Sequence, residues 1–188
     1  MELWWARLST ADITLAATLP PGERERLTEV SDQAERGRRL VGELLLQRAV
    51  RHSRMLAESE PIEIDRTCAE CGAQHGRPVV ADGRGPHVSV AHSGLVIAVA
   101  TCGVAAVGVD VERLPDENVD FEALADWVDR EARIKAGLLP GEEAGMADGT
   151  SLAVTCPLAG YSAALAVSTN GGGMLIDLIE HPFSQQLP

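Results

Sequence analysis

The stretch His87-Val-Ser-Val-Ala-His-Ser-Gly-Leu-Val-Ile-Ala-Val-Ala100 contains two apolar runs on either side of Ser93-Gly94. Two apolar runs separated by a short turn sequence are typical of a β-hairpin. The residues that precede the hairpin, from Glu58 to Gly85, are polar and rich in turn-forming types. The hairpin is therefore the clearest element of the sequence, and its neighbours are assigned outward from it.

Upstream of the hairpin, the sequence predicts a strand followed by a helix. The strand is predicted from Leu3 to Leu8. The helix is predicted to begin near Asp32, because Asp32 and Glu35 have the spacing of an N-terminal capping box. The other side of this helix is rich in arginine. The apolar residues that recur at helical intervals are Val41, Leu44, Leu45 and Ala49.

Downstream of the hairpin, the same order of elements is predicted again. Residues 106–112 predict a strand, Asp120 to Ala136 predict a helix that ends at Gly137, and residues 151–155 and 161–167 predict a second hairpin. The tail after Gly171 is expected to add a loosely held terminal strand. The sequence thus predicts an α+β fold of two pseudo-symmetric strand–helix–hairpin halves, residues 1–104 and 105–188, with a site between them.

The charge distribution limits the possible ligands. A net charge of −12 and an aromatic content of 3% disfavour nucleic acid, which requires a basic surface and stacking platforms. Residues 21–54 are rich in arginine and residues 109–150 are rich in acidic side chains. This division fits a phosphorylated ligand on the first region and a cation on the second, although charge alone favours unevenly distributed surface charge.

The first residues, Met-Glu-Leu-Trp-Trp-Ala-Arg, lack the basic region and long apolar core of a secretory signal. No apolar run approaches the ~20 residues that span a bilayer. We therefore expect a cytoplasmic protein without a membrane segment. In that compartment the cysteines are expected to be reduced; they are Cys68, Cys71, Cys102 and Cys156.

The second predicted helix places a carboxylate within an apolar stripe. Glu131 lies in the middle of this stripe, so we expect it to face the interior and to be protonated, paired or bound to a cation. Lys135, the only lysine of the chain, follows one turn later. Taken alone, this spacing favours an ordinary Glu131–Lys135 helix pair. The stripe comprises Leu124, Trp127, Val128, Ile134 and Leu138.

Asp110 and Glu112 lie at the end of the strand that precedes this helix. Strand alternation places both side chains on one face, where their like charges repel each other. A magnesium ion relieves such repulsion and accepts water and phosphate oxygens as its other ligands. The alternative, which is favoured for a single Asp-x-Glu pair, is a solvated strand end.

Several segments together resemble a known family. Gly108-Val-Asp-Val-Glu112 followed by Trp127-Val-Asp-Arg-Glu-Ala-Arg-Ile-Lys135 resembles the paired signature of 4'-phosphopantetheinyl transferases of the surfactin-activating (Sfp-like) type. Gly76-Arg77-Pro78 resembles the family's G-[KR]-P element, and Val88-Ser-Val-Ala-His-Ser-Gly94 resembles its hairpin. Residues 38–42 and 160–166 are similar to further segments in the same order. The resemblance covers most of the chain and implies the 4'-phosphopantetheinyl transferase fold.

The resemblance also implies an activity. Members move the phosphopantetheine arm of coenzyme A to a serine of an acyl or peptidyl carrier protein, with Mg²⁺ and as monomers. Asp110, Glu112 and Glu131 are then expected to bind the metal, Glu131 to accept the serine proton, and Lys135 to stabilise the leaving oxygen. The residues expected to bind coenzyme A are Arg26, Arg39, Gly76, Arg77, Pro78, His92, Ser93 and Lys135.

Two features depart from the family pattern or fall outside it. The segment between the two signature blocks, residues 113–126, is shorter than is usual, so a coenzyme A or carrier-protein binding module without catalysis is the alternative function. Cys68-Ala-Glu-Cys71 with His75 offers three zinc ligands, and Cys102, Cys156 and His87 are the possible fourth. The sequence contains no second C-x-x-C, which favours the alternative of reduced loop cysteines without a metal. A small zinc-ribbon-like interaction protein is the third hypothesis, but it leaves the carboxylates and Lys135 unexplained.

Overall fold

The computed structural model describes residues 1–114, 121–138, 148–169 and 177–183, which form a mixed α+β fold of several sheets with helices packed against them. The described helices are α1 (Pro21–Thr28), α2 (Gln33–Arg54) and α3 (Phe121–Lys135), with short 3₁₀ segments at Leu8–Thr10 and Ile13–Thr18. The described strands are β1 (Glu2–Arg7), β2 (Ile64–Thr67), β3 (Gln74–Val80), β4 (His87–Ser93), β5 (Val96–Cys102), β6 (Val107–Arg113), β7 (Gly149–Ala153), β8 (Tyr161–Ser168) and β9 (Ile179–His181).

The two larger sheets share one strand order. In the first sheet the order is β4-β5-β1-β9, and β5 pairs antiparallel with both β4 and β1. In the second sheet the order is β7-β8-β6, and β8 pairs antiparallel with both neighbours. In each sheet the second hairpin strand therefore lies between its hairpin partner and the strand that precedes the helix. β9 adds a parallel edge strand beside β1.

Each sheet is covered by one helix and shares a core with the other sheet. α2 packs large aliphatic side chains, among them Leu45, Leu46 and Val50, onto one face of the first sheet. On its opposite face, Leu3 and Trp5 join a core that also contains residues of the second sheet. Burial of these apolar side chains supplies the main driving force for the arrangement.

Two serines of β4 connect the edges of the sheets. Ser89 Oγ accepts a hydrogen bond from the Val109 amide at 3.0 Å, and Ser93 Oγ accepts one from the Arg113 amide at 3.0 Å. β6 would otherwise leave these edge amides without partners, which is costly inside a protein. The contact brings the end of β4 and the end of β6 side by side, and the candidate site lies there.

Most elements that the sequence predicts are confirmed. β1, the β4–β5 hairpin, β6 and β8 lie where they were predicted, and Asp32 caps α2 by accepting a hydrogen bond from the Glu35 amide at 2.6 Å. Gly137 follows α3 with a φ of +74°, which favours glycine. The predicted helix start at Asp120, the residues 115–120 of the short segment and the residues 171–176 of the tail lie outside the described residues.

Two features differ from the sequence analysis. The polar, turn-rich region from Glu58 to Gly85 contains the hairpin β2–β3, which was not predicted. The apolar stripe on α3 is confirmed for Leu124, Val128 and Leu138 but is wrong for Trp127, which is 51% exposed, and for Ile134, which is 42% exposed. The buried face of α3 instead follows Leu124, Val128, Ala132 and Ala136, and Glu131 is half-buried at its border.

None of the helices in the described part of the chain is both long enough and apolar enough to cross a membrane.

Candidate functional site

A cleft of about 270 Å³ opens where the two sheets meet. Side chains from α1, α2, β2, β4, β6 and α3 surround it, so residues that are distant in the sequence converge on one space. The lining residues with ionisable side chains are Glu23, Arg26, Arg39, Glu43, Arg66, His92, Asp110 and Lys135. Five of these, namely Arg26, Arg39, His92, Asp110 and Lys135, are residues that the sequence predicts for the site.

Asp110 and Lys135 form an ion pair at the edge of this cleft. Lys135 Nζ donates to Asp110 Oδ1 at 2.7 Å and to the Val109 carbonyl at 3.2 Å. Asp110 is only 6% exposed, and its Oδ2 is buried without a hydrogen-bond partner in the part of the chain that the structure describes. A buried carboxylate oxygen without a donor is costly, so it is suited to a cation or to an ordered water.

Gly108 explains why Asp110 and Lys135 meet. A Cβ on Gly108 would lie 2.0 Å from the Ala132 carbonyl oxygen and 2.6 Å from the Ala136 amide nitrogen. Only glycine therefore allows α3 to cross β6 at this distance. Val109 and Val111 face the core that the sheets share, so Asp110 lies on the face of β6 that α3 covers.

The Ser93-Gly94 turn is fixed by residues of the second half. Ser93 Oγ donates to Glu112 Oε2 at 2.8 Å, and Tyr161 Oη accepts a hydrogen bond from the Leu95 amide at 2.8 Å. Gly94 has a φ of +53°, and a Cβ there would lie 2.5 Å from Tyr161 Oη. The predicted site residues Ser93 and Glu112 are therefore bound to each other, although neither lines the cleft.

Two arginines and two glutamates form the floor of the cleft. Arg66 pairs closely with Glu43, and Arg26 pairs closely with Glu23 and lies 3.7 Å from Glu43. Burial raises the pKa of Glu23 to about 7, and the neighbouring Glu43 carboxylate adds to the rise. Glu43 Oε2 and Arg66 Nε are both buried without a hydrogen-bond partner among the described residues.

Sequence reasoning missed Glu23, Glu43 and Arg66 as site residues. One signal was available for Glu43, which interrupts the run Val41-Gly-Glu-Leu-Leu-Leu46 on the face of α2 that packs into the protein. An acidic residue in such a run requires a partner. Nothing in the sequence points to Arg66 as that partner, because it lies on β2, which was not predicted.

His92 lies beside Glu35 and Arg39 at the outer part of the cleft. His92 Nε2 is 3.8 Å from Glu35 Oε1, and Arg39 Nε donates to the same oxygen at 2.9 Å. Burial lowers the pKa of His92, while Glu35 opposes this shift and Arg38 adds to it. His92 is thus an uncharged imidazole near neutral pH, able to donate one hydrogen bond and accept another.

Gly76, Arg77 and Pro78 do not line this cleft. They lie on β3, where an Arg77 guanidinium nitrogen donates to the Val107 carbonyl at 3.4 Å, and Arg77 and Pro78 line a separate pocket of about 460 Å³. A Cβ on Gly76 would lie 2.8 Å from the Thr67 carbonyl oxygen and 2.9 Å from that of Arg66. Gly76 therefore permits β3 to pack closely on the strand that carries Arg66.

The predicted magnesium ligands are not gathered into one cluster. Within the described ranges, two groups of three residues have their ligand atoms within 4.8 Å of one another, and Asp110, Glu112 and Glu131 are not among them. One group is Cys68 with Cys71 and His75, and the other is Glu2 with His52 and His181. The assignment of Asp110, Glu112 and Glu131 to a metal stays a prediction.

No protein-family model matches the chain, and a search of curated proteins gives no match. The function is therefore argued from the cleft and its residues.

Proposed function

We propose that the protein transfers the 4'-phosphopantetheine group of coenzyme A to a serine of an acyl or peptidyl carrier protein. The observation that carries this proposal is the cleft, which collects Arg26, Arg39, His92, Asp110 and Lys135 from separate elements. The sequence predicts each of these five residues as a site residue for this reaction, although they lie far apart in the chain. A reaction on a pyrophosphate is helped by cationic donors beside a carboxylate that can hold a metal ion, and the cleft places cationic side chains beside the Asp110 carboxylate.

The arrangement of the two sheets supports the same proposal. Each half contains a strand, a helix and a hairpin in that order, with the additional hairpin β2–β3 in the first half. The second hairpin strand, β5 or β8, lies between its hairpin partner and the strand that precedes the helix. Two halves that repeat one topology meet along β4 and β6, and ligand sites commonly lie in such interfaces. The finer assignment to a 4'-phosphopantetheinyl transferase fold is part of this proposal.

The arginine side of the cleft suits the nucleotide phosphates. Arg39 has a side chain that is 46% exposed, so its guanidinium reaches the opening of the cleft. Arginine binds phosphate through a planar fork of donors that stays charged at all working pH values. A neutral His92 beside it donates a hydrogen bond to a phosphate oxygen without the cost of burying a second charge.

The Asp110 side of the cleft suits Mg²⁺. The buried Oδ2 of Asp110 has no partner among the described residues and offers the hard oxygen ligand that Mg²⁺ prefers. Asp110 would hold the ion, with Glu112 and Glu131 as further proposed ligands. When bound, Mg²⁺ supplies positive charge against the pyrophosphate oxygens.

In the proposed reaction, the serine Oγ of the carrier attacks the β-phosphorus of coenzyme A. The new bond is Oγ–P, and the bond that breaks joins this phosphorus to the bridging oxygen of 3',5'-adenosine bisphosphate. Glu131, or a water that it orients, accepts the serine proton. Lys135 stabilises the charge that develops on the bridging oxygen, and its ion pair with Asp110 holds the ammonium beside the cleft.

A coenzyme A or carrier-protein binding module without transfer is the second candidate. It is favoured by the fact that the ligand atoms of Asp110, Glu112 and Glu131 do not lie within 4.8 Å of one another in the described residues. The two candidates differ in one respect, since binding alone does not need Glu131.

The test is to mix the purified protein with coenzyme A, Mg²⁺ and a panel of apo carrier proteins, and to follow the intact mass of each carrier. We expect at least one carrier to gain the mass of phosphopantetheine. Binding of coenzyme A and of each carrier protein is measured in parallel by calorimetry. Binding without any mass gain across the panel supports the binding module, and absence of both overturns both candidates.

Glu131→Gln and Asp126→Asn provide a matched pair for this test. Both substitutions remove a carboxylate from α3, but Asp126 is exposed and has no proposed role. We expect Glu131→Gln to lower the transfer rate by about 10²-fold or more, because the serine proton loses its acceptor. Asp126→Asn is expected to leave the rate unchanged, and an equal loss in both variants contradicts the role of Glu131.

A further inference from the structure

The loop between β2 and β3 brings two thiols and an imidazole together, away from the cleft. Cys68 Sγ, Cys71 Sγ and a ring nitrogen of His75 lie within 4.8 Å of one another. Cys71 Sγ is 3.0 Å from His75 Nε2. Cys71 and His75 are exposed and Cys68 is partly buried, so the three ligand groups are accessible from solvent.

The backbone of this loop holds Cys68 at the centre of a tight knuckle. The Cys68 amide donates to the Ala73 carbonyl at 2.8 Å, and the Gly72 amide donates to the Cys68 carbonyl at 2.9 Å. Gly72 has a φ of +74°, a conformation that favours glycine. The amides of Cys71 and Glu70 also hydrogen bond to the Cys68 sulfur, which lowers the pKa of its thiol.

These distances suit a tetrahedral metal ion. Bond lengths of about 2.3 Å to sulfur and about 2.0 Å to nitrogen separate two tetrahedral ligand atoms by roughly 3.5 to 3.8 Å. The three ligand atoms reach that spacing by small side-chain rotations, since all lie within 4.8 Å already. Two thiolates and one imidazole favour Zn²⁺ over the hard ions Mg²⁺ and Ca²⁺.

We propose that Cys68, Cys71 and His75 bind one zinc ion, with water in the fourth position. Binding releases the two thiol protons to solvent, because zinc coordinates the thiolate form. The other expected ligands do not complete the site. Cys102 is buried in β5, Cys156 packs against the core between the sheets, and His87 is paired opposite Cys102 on β4.

The ion would stabilise the β2–β3 hairpin, whose residue Arg66 lines the cleft. Arg66 lies two residues before Cys68, and the Arg66 amide bonds to the Gln74 side chain at 3.2 Å where the β2–β3 register is irregular. A Cβ on Gly76, the residue after His75, would touch the backbone of Arg66, Thr67 and Cys68. Zinc would thus close the short loop that follows the irregular part of the β2–β3 register.

The test is the metal content of the full chain, purified with zinc and then freed of loosely bound ions. We expect one zinc ion per chain by elemental mass spectrometry. Replacement by Co²⁺ should give the intense visible bands of tetrahedral cobalt and a thiolate-to-cobalt charge-transfer band. Cys68→Ser, Cys71→Ser and His75→Ala should each lose most of the bound metal, whereas the control Cys156→Ser should keep it.

The outcomes are separable from those of the transferase test. Zinc content below one tenth of the chain concentration, or content that Cys68→Ser and Cys71→Ser leave unchanged, overturns the proposal. A Cys68–Cys71 disulfide in protein kept under reductant, detected by intact mass, overturns it as well. A chelator should lower the melting temperature of the wild type and leave that of Cys71→Ser unchanged, and these readouts require no coenzyme A or carrier.

Discussion

Each of the two larger sheets is covered by one helix, but the two helices pack in different ways. α2 spreads leucine and valine side chains over the first sheet, so side chains separate helix from sheet. α3 approaches β6 so closely that a Cβ on Gly108 would lie 2.0 Å from the Ala132 carbonyl oxygen. The two helix–sheet contacts therefore serve two purposes. The wide contact of α2 supplies burial, and the close contact of α3 places Lys135 beside Asp110.

The largest expected effect comes from adding a Cβ to a glycine at each helix–sheet contact, Gly108 under α3 and Gly42 on α2. Gly108→Ala should lower the free energy of unfolding by at least about 3 kcal/mol, because backbone atoms of α3 cannot move aside separately. Gly42→Ala on α2 should raise the free energy of unfolding by up to about 1 kcal/mol, because alanine has a higher helix propensity than glycine. The added Cβ would lie 3.5 Å from the Val90 side chain, which is an ordinary van der Waals contact. Urea denaturation measures both values. Equal effects at the two positions would contradict the difference in packing.

A smaller effect is expected from the ion pair that the close contact creates. Lys135→Met should cost about 2 kcal/mol, because it leaves the buried Asp110 carboxylate without its cation. Arg133→Met on the same helix should stay within about 0.5 kcal/mol, since both members of its pair with Asp129 are partly exposed to solvent. Thermal and urea unfolding compare the two variants. A Lys135→Met variant as stable as the wild type would show that Asp110 is compensated by another group.

The first half contains its own buried charges, and they predict a pH dependence. Glu23 has a pKa of about 7 in the folded protein, above its ordinary value of 4.5. The folded state therefore binds its proton more tightly than the unfolded state, so the contribution of Glu23 to stability falls as pH rises from about 4.5 to about 7. Between these limits we expect a loss on the order of 1 to 2 kcal/mol from this group.

Glu23→Gln tests this assignment against a control on the same helix. The variant should lose much of the stability difference between about pH 5 and about pH 8, whereas Glu25→Gln, at an exposed position, should keep it. The free energy of unfolding at the two pH values is the measurement. If Glu23→Gln retains the full wild-type dependence, the raised pKa belongs to another group.

The elements of both halves were predictable because their signals are local. Ser93-Gly94 between two apolar runs predicts the β4–β5 hairpin, and Asp32 with Glu35 predicts the start of α2. The position of Asp110 on the α3 side of β6 follows from alternation along the strand. Such signals depend on neighbours within a few residues, which a sequence displays directly.

The remainder depends on contacts between distant residues. Trp127 and Ile134 are apolar but exposed, because the close approach of α3 at Gly108 selects the small side chains of Ala132 and Ala136 for the buried face. Counting apolar residues at helical intervals favours large side chains and overlooks alanine. The pairing of Glu43 with Arg66 was equally hidden, since Arg66 lies on a short strand whose polar residues do not indicate a sheet.

The smallest effect concerns how α2 begins. Asp32→Ala should cost about 1 kcal/mol, because the Glu35 amide loses the hydrogen bond that it makes to the Asp32 carboxylate. Asp32→Asn keeps an acceptor oxygen and should cost only a few tenths of a kcal/mol. Asp12 makes a similar bond to the Thr14 amide at 2.9 Å, but it caps an exposed 3₁₀ segment. Asp12→Ala should therefore cost less than Asp32→Ala in urea unfolding. A cost of Asp32→Ala close to zero would mean that the packing of the aliphatic face of α2, and not its N-cap, fixes where the helix starts.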